Sequence, residues 1–230
     1  MSERISFRNS LVHPLWGSLC RRFCWCLTCL VMLCLLHPAQ GFCAGSSEAR
    51  QALQLSVSRI LSLIKNPDYV NPATREPLRL QIEDEVYHIF DFEEFSARTV
   101  GQGWKNFTPS QKQQFADAFA SLLFSTYLSQ IDGYNGEEVF FTSERSNESG
   151  TRFDIATELT MQDGRVIPIN YRLMPKNGTW VVYDVFVEGV SLVRNYRTQF
   201  QQILMSSSPD ELIAKVRQRA QEVGSNASAQ

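Results

Sequence analysis

Apolar and polar positions alternate along this chain in two different periods, and the change of period divides it. From Ser46 to Asn66 the residues Ala49, Ala52, Leu53, Ser56, Ile60, Leu61 and Ile64 recur at helical spacing, and Asn66-Pro67 ends the run. Asp68 to Pro77, which with Pro67 just before it meets three prolines, reads as a loop. Helical patterning resumes from Leu80 to Ala97 through Ile82, Val86, Ile89 and Phe90, with Asp84 or Asp91 as a break. Thr108-Pro109-Ser110-Gln111 then supplies a capping residue, a proline at the first helical position and a glutamine to close a capping box.

The helix that follows, to Ile131, carries two apolar stripes. One runs through Phe115, Ala118, Phe119 and Leu122, the other through Ala120, Leu123, Phe124, Tyr127, Leu128 and Ile131. A surface helix needs only one stripe. This one is therefore a central core helix, or it has core on one side and an apolar ligand on the other.

Beyond it the period falls to two. Val139–Glu144, Arg152–Met161, Arg165–Leu173 and Thr179–Val187 read as strands. Asp163-Gly164 and Asn177-Gly178 supply the positive φ that tight hairpins need, so the four strands form an antiparallel meander. Pro168 points to an edge or a bulge in its strand. Helical spacing returns from Ser191 to Met205. Ser208-Pro209-Asp210-Glu211 makes a second capping box and opens a last helix, with a polar, frayed end after Glu222. Helices, a four-stranded antiparallel meander and helices again make an α+β fold in one domain.

The first forty residues belong to another class. Arg4, Arg8, Arg21 and Arg22 precede Phe23–Leu36, fourteen residues without a charge. As a helix this run spans about 21 Å, short of the roughly 30 Å of a bilayer core. Ala39-Gln40-Gly41 offers small residues for a cut after Gly41, so residues 1–41 read as a secretory signal and 42–230 as the domain. All six cysteines lie between positions 20 and 43, unlike a disulfide scaffold. The signal carries four of the 22 basic and one of the 24 acidic residues. That leaves 18 against 23, a formal charge of −5 on the remainder. No basic block matches phosphate spacing, so nucleic acid is not an expected partner.

A search for chemistry finds little. His88, the one histidine after the signal, shares a helix with Glu83, Asp84 and Glu85. It lacks the further His or Cys ligands of a metal site, and no serine sits in a nucleophile elbow. Gly101-x-Gly103 lacks the remaining glycine of a dinucleotide loop. No catalytic residue, metal or cofactor is expected.

Several segments together carry a likeness. They are Ile89-Phe90-Asp91-Phe92, Gly101-x-Gly103-Trp104, and Thr108 to Gln111 with Phe115, Phe119, Leu123 and Tyr127. The most specific runs from Tyr183 through Glu188-Gly189-Val190-Ser191-Leu192 and Asn195-Tyr196-Arg197 to Phe200. Over nearly all of residues 46–222 the chain resembles the MlaC family of periplasmic phospholipid-binding proteins, also described as toluene-tolerance auxiliary proteins. The resemblance implies an α+β fold around a cavity for acyl chains. It implies a periplasmic carrier that shuttles phospholipid between an outer-membrane lipoprotein complex and an inner-membrane ABC transporter with an MCE-domain subunit. The segment from Glu188 to Arg197 is expected to be structural, joining the last strand to the next helix.

Each methylene group of an acyl chain costs roughly 0.8 kcal/mol in water, so free diffusion of a phospholipid is negligible and a carrier needs an apolar hollow. On the resemblance, Phe119, Leu123 and Tyr127 of the two-striped helix are expected to line it. From the sheet come Ile155, Leu159, Ile169, Tyr171, Val182 and Phe186. Two other readings stand beside this one: a small α+β enzyme using His88 with an acid, and an envelope interaction protein whose greasy helix is only core.

Overall fold

The computed structural model describes residues 44–132 and 136–228. The signal reading, with its cysteines, lies outside the described residues. Helix α1 spans Ala44–Ile64, a short α2 Pro67–Val70 and α3 Pro72–Ile89. The proline-rich stretch is thus helix, not loop. Asn66 and Asn71 accept hydrogen bonds from Asp68 N and Ala73 N, and Pro67 and Pro72 each open a helix where a missing N–H is no loss. Pro77 is accommodated inside α3, near its start.

Asp91 is the break between α3 and α4, Phe92–Val100. Its Oδ1 accepts from Glu94 N at 3.1 Å, and its buried Oδ2 meets Lys176 Nζ at 2.6 Å. A 3₁₀ turn, Gly101–Asn106, leads to the long α5, Pro109–Asp132. The Thr108 capping box forms in both directions: Thr108 N donates to Gln111 Oε1 at 2.9 Å, and Gln111 N to Thr108 Oγ1 at 3.2 Å.

The sheet follows as β1 Glu138–Ser146, β2 Phe153–Thr160, β3 Val166–Lys176 and β4 Thr179–Val187. A fifth strand of two residues, β5 Val190–Ser191, extends the expected four. The order is β1-β2-β3-β4-β5, with every pair antiparallel. Asn177 and Gly178 (φ 52° and 80°) form the β3–β4 turn, and Glu188 and Gly189 (51° and 79°) the β4–β5 turn. Both pairs have the positive φ of type I′ hairpins.

Pro168 sits inside the sheet, on neither an edge nor a bulge. Its carbonyl accepts from Glu188 N at 3.0 Å, so its missing N–H faces the side where β4 is turning away and needs no donor. Helix α6, Leu192–Leu204, and α7, Pro209–Ser228, complete the chain. The last helix therefore continues past Glu222, where fraying was expected.

Helices α4 to α7 build an aromatic core. Phe115 and Phe119 are fully buried, and both meet Phe200 edge-on at 5.3 and 5.2 Å between centroids. A second core lies between α1 and one face of the sheet: Ala49, Leu53 and Ile89 pack on Phe153, Ile155, Leu173 and Val182. The backbone at Phe90-Asp91 bridges to Val182 and joins the two cores.

Candidate functional site

Register decides which side chains share the face that α1 covers. Ile155 stands opposite Tyr171, Thr157 opposite Ile169 and Leu159 opposite Ile167. Ile169 and Tyr171 in turn face Val187 and Val185. A bulge at Arg172/Leu173 shifts the pairing so that Leu173 meets Val182 on this same inner face.

Burial falls steadily along that face. At the end under α1, Ile155, Leu173 and Val182 have no exposed surface. Two to five residues further along each strand, Leu159, Ile169, Tyr171 and Val187 are only half-buried. Val190, paired with Val187, is 58% exposed. An apolar face that is sealed at one end and uncovered at the other is the candidate cleft, its uncovered end offering an apolar surface to hydrocarbon.

Tyr171 marks the wall of this cleft. Burial pushes its hydroxyl up to about 12, with a smaller opposing effect from its hydrogen bond with Thr157. The residue as a whole is half-buried, so its hydroxyl end is out of water while other parts of it keep accessible surface. Tyr171 thus stands at the edge of the covered part of the face. Thr157 Oγ1 also donates to Ile169 O at 2.9 Å.

The nine side chains expected at the site fall into three groups. Leu159, Ile169 and Tyr171 lie at the open end of the inner face, with Ile155 and Val182 packed beneath α1. Phe119 and Leu123 lie in the aromatic core among α4, α6 and α7, and half-buried Tyr127 packs against that core. Phe186 pairs with Asn170 on the opposite face of the sheet, under the Arg172 guanidinium at 4.4 Å. The structure therefore does not bring the α5 residues and Phe186 to the cleft. Val187 and Phe141, half-buried on the inner face, belong to it and were missed. Their alternation is visible in the sequence, but only register shows which face is covered.

His88 is exposed on α3. Its Nδ1 lies 2.7 Å from Asp84 O, a contact that raises its pKa, and the Asp84 carboxylate adds to the rise. It faces solvent, and its polar contacts among the described residues are with Asp84 on its own helix. Among the described residues no His/Cys/Asp/Glu group is arranged to hold a metal, and no helix is long and apolar enough to cross a membrane.

Comparison with known proteins bears on the family and the fold. Residues 54–218 match the family model described as MlaC protein. The intermembrane phospholipid transport system binding protein MlaC of Haemophilus influenzae is 24% identical over 147 residues, which span 62% of this chain and 68% of that protein. The toluene tolerance protein ttg2D of Pseudomonas putida is 27% identical over 103 residues, 45% of this chain and 47% of its own length. A phospholipid-binding protein from Ralstonia solanacearum, solved in complex with a phospholipid, shares the fold with a TM-score of 0.69. It is 24% identical, and the match covers 76% of this chain and 98% of that one.

Proposed function

The chain belongs to the MlaC family, and we propose that it is a soluble periplasmic carrier that holds phospholipid acyl chains in the cleft beside Tyr171 and does no chemistry on them. The observation that carries this reading is the row of half-buried apolar side chains Leu159, Ile169, Tyr171 and Val187 at the uncovered end of the inner face. Hydrocarbon placed there leaves water without disturbing any ion pair, and each methylene buried contributes roughly 0.8 kcal/mol. A carrier must bind well enough to lift a lipid out of a bilayer yet weakly enough to release it. An open-ended cleft suits that balance better than a sealed cavity.

The names of the relatives support the ligand class, since one belongs to a phospholipid transport system and another was solved with a phospholipid bound. Residues 1–41 act as the export signal and 42–230 as the carrier domain. The carrier exchanges lipid with an outer-membrane lipoprotein complex on one side and with the MCE-domain subunit of an inner-membrane ABC transporter on the other. Within the nine expected side chains, Leu159, Ile169 and Tyr171 touch the tails, while Ile155 and Val182 form the floor beneath them.

Native mass spectrometry of protein purified from the cell envelope tests the reading. Phospholipid adducts are expected on the folded monomer. A protein that is uniformly empty after purification without detergent contradicts the carrier function.

A further inference from the structure

Outside the cleft, one surface feature has an unused chemistry. The C-terminal end of α4, the 3₁₀ turn and the last two turns of α6 border an open groove of about 670 Å³. It is built wholly from helical segments and shares no residue with the sheet. Its floor is kept low by glycines: a Cβ on Gly101 would meet Gln201 Nε2 at 3.0 Å, and one on Gly103 would meet Leu204 Cδ1 at 3.3 Å. Gly101 also has φ +68°, which disfavours any side chain there. Val100, Leu204 and Met205 give the groove an apolar side, and Met205 is 86% exposed.

Both charged residues of its lining are basic. Lys105 and Arg197 line the groove, Arg194 lies one turn before Arg197 on α6, and Lys112 sits 5.7 Å from the Trp104 ring next to Lys105. None of these four cations has a carboxylate within ion-pair distance among the described residues. Helix α6 contains no acidic residue, and Arg197 gives only its Nε and one Nη2 donor to the Arg98 carbonyl, at 2.8 and 2.6 Å, which leaves its other N–H donors for an anion. The chain after residue 41 carries a formal −5, so a groove whose charged lining residues, Lys105 and Arg197, are both basic runs against the charge of the rest.

From this we infer that the groove is a docking site for an acidic segment of a protein partner. Such a segment places an apolar side chain against Leu204 and Met205 and its carboxylates against Lys105 and Arg197. The concave shape favours a chain segment over a membrane, because a flat anionic surface would meet the rim and leave the glycine floor empty. Gln102 and Gln201 flank the floor with amides that can pair with the backbone of an inserted segment.

Photo-crosslinking tests the inference. The full chain carries a benzophenone amino acid in place of Met205, or of Val70 as an exposed control on α2, and is irradiated in living cells. Crosslinked peptides are sequenced. Adducts from position 205 are expected on a protein segment rich in Asp and Glu, and their yield should fall roughly five-fold with Lys105→Glu and less with Lys105→Gln. Adducts on lipid alone, adducts on a neutral or basic segment, a yield insensitive to Lys105→Glu, or no adduct beyond the Val70 control would each overturn it. Lipid content is read by mass spectrometry on the same samples. An empty parent protein would defeat the carrier reading and leave the groove untouched.

Discussion

The buried carboxylate of Asp184 accepts a hydrogen bond from Ser191 Oγ at 2.8 Å and another from Val193 N at 3.1 Å. Ser191 Oγ in turn accepts from Arg194 N at 3.0 Å and so caps α6. This relay, closed by the Glu188-Gly189 turn, fixes the angle at which α6 leaves the sheet. Asp184→Ala would leave two buried donors without an acceptor and is expected to cost about 3 kcal/mol. Asp154→Asn breaks only an exposed pair with Arg172 and should cost less than about 0.5 kcal/mol. Thermal melts of the two variants check the contrast.

Core and cleft predict different phenotypes. Phe119→Ala empties a fully buried site in the aromatic core and should lower stability by about 3–5 kcal/mol. Ile169→Asp and Leu159→Asp alter half-buried positions at the open end. They should leave the melting temperature within a few degrees of the parent while sharply reducing co-purified lipid. Denaturation curves alongside lipid extraction separate the two effects; equal lipid loss at equal stability in all three variants would contradict the division.

Alkaline stability reports on Tyr171. Its hydroxyl is raised from 10.0 to about 12, as is that of Tyr196, because burial favours the protonated form in both. The folded state thus holds more protons than the unfolded chain between these values. Stability is full below about pH 10 and falls as pH rises towards 12. Tyr171→Phe removes its share, so the decline over that window should become shallower in urea titrations. Superimposable curves would place Tyr171 in ordinary solvent.

His88 is expected to be silent. It is exposed and bonded only within its own helix turn. His88→Ala should change stability by less than about 0.5 kcal/mol and leave lipid transfer between vesicles unaltered. Loss of transfer without loss of folding would revive an enzymatic role.

Much of the fold was written locally. Both capping boxes, the Asn-Gly hairpin and the two-stripe helix rest on contacts within a few residues, and each forms as its sequence implies. The misreadings share a cause. Three prolines between residues 67 and 77 signal a loop only until two of them are seen to open helices behind asparagine caps. A two-residue strand is too short to show alternation, and it exists because the β4–β5 turn holds Val190 against Val187. The candidate site was less legible because it depends on register. One bulge at Arg172/Leu173 sets Val182 on the inner face, while Phe186, four residues on, points to the outer one. The stripes of α5 gave no sign that Phe95, Tyr196 and Phe200 would fill the space around Phe119.

Contact between hydrocarbon and the uncovered end of the sheet is most directly read with a phospholipid bearing a diazirine near the end of one acyl chain, loaded onto the full protein and irradiated. Adducts are expected on Leu159, Ile169, Tyr171 or Val187. Adducts confined to the outer face around Phe186, or a protein that takes up no lipid at all, would contradict it.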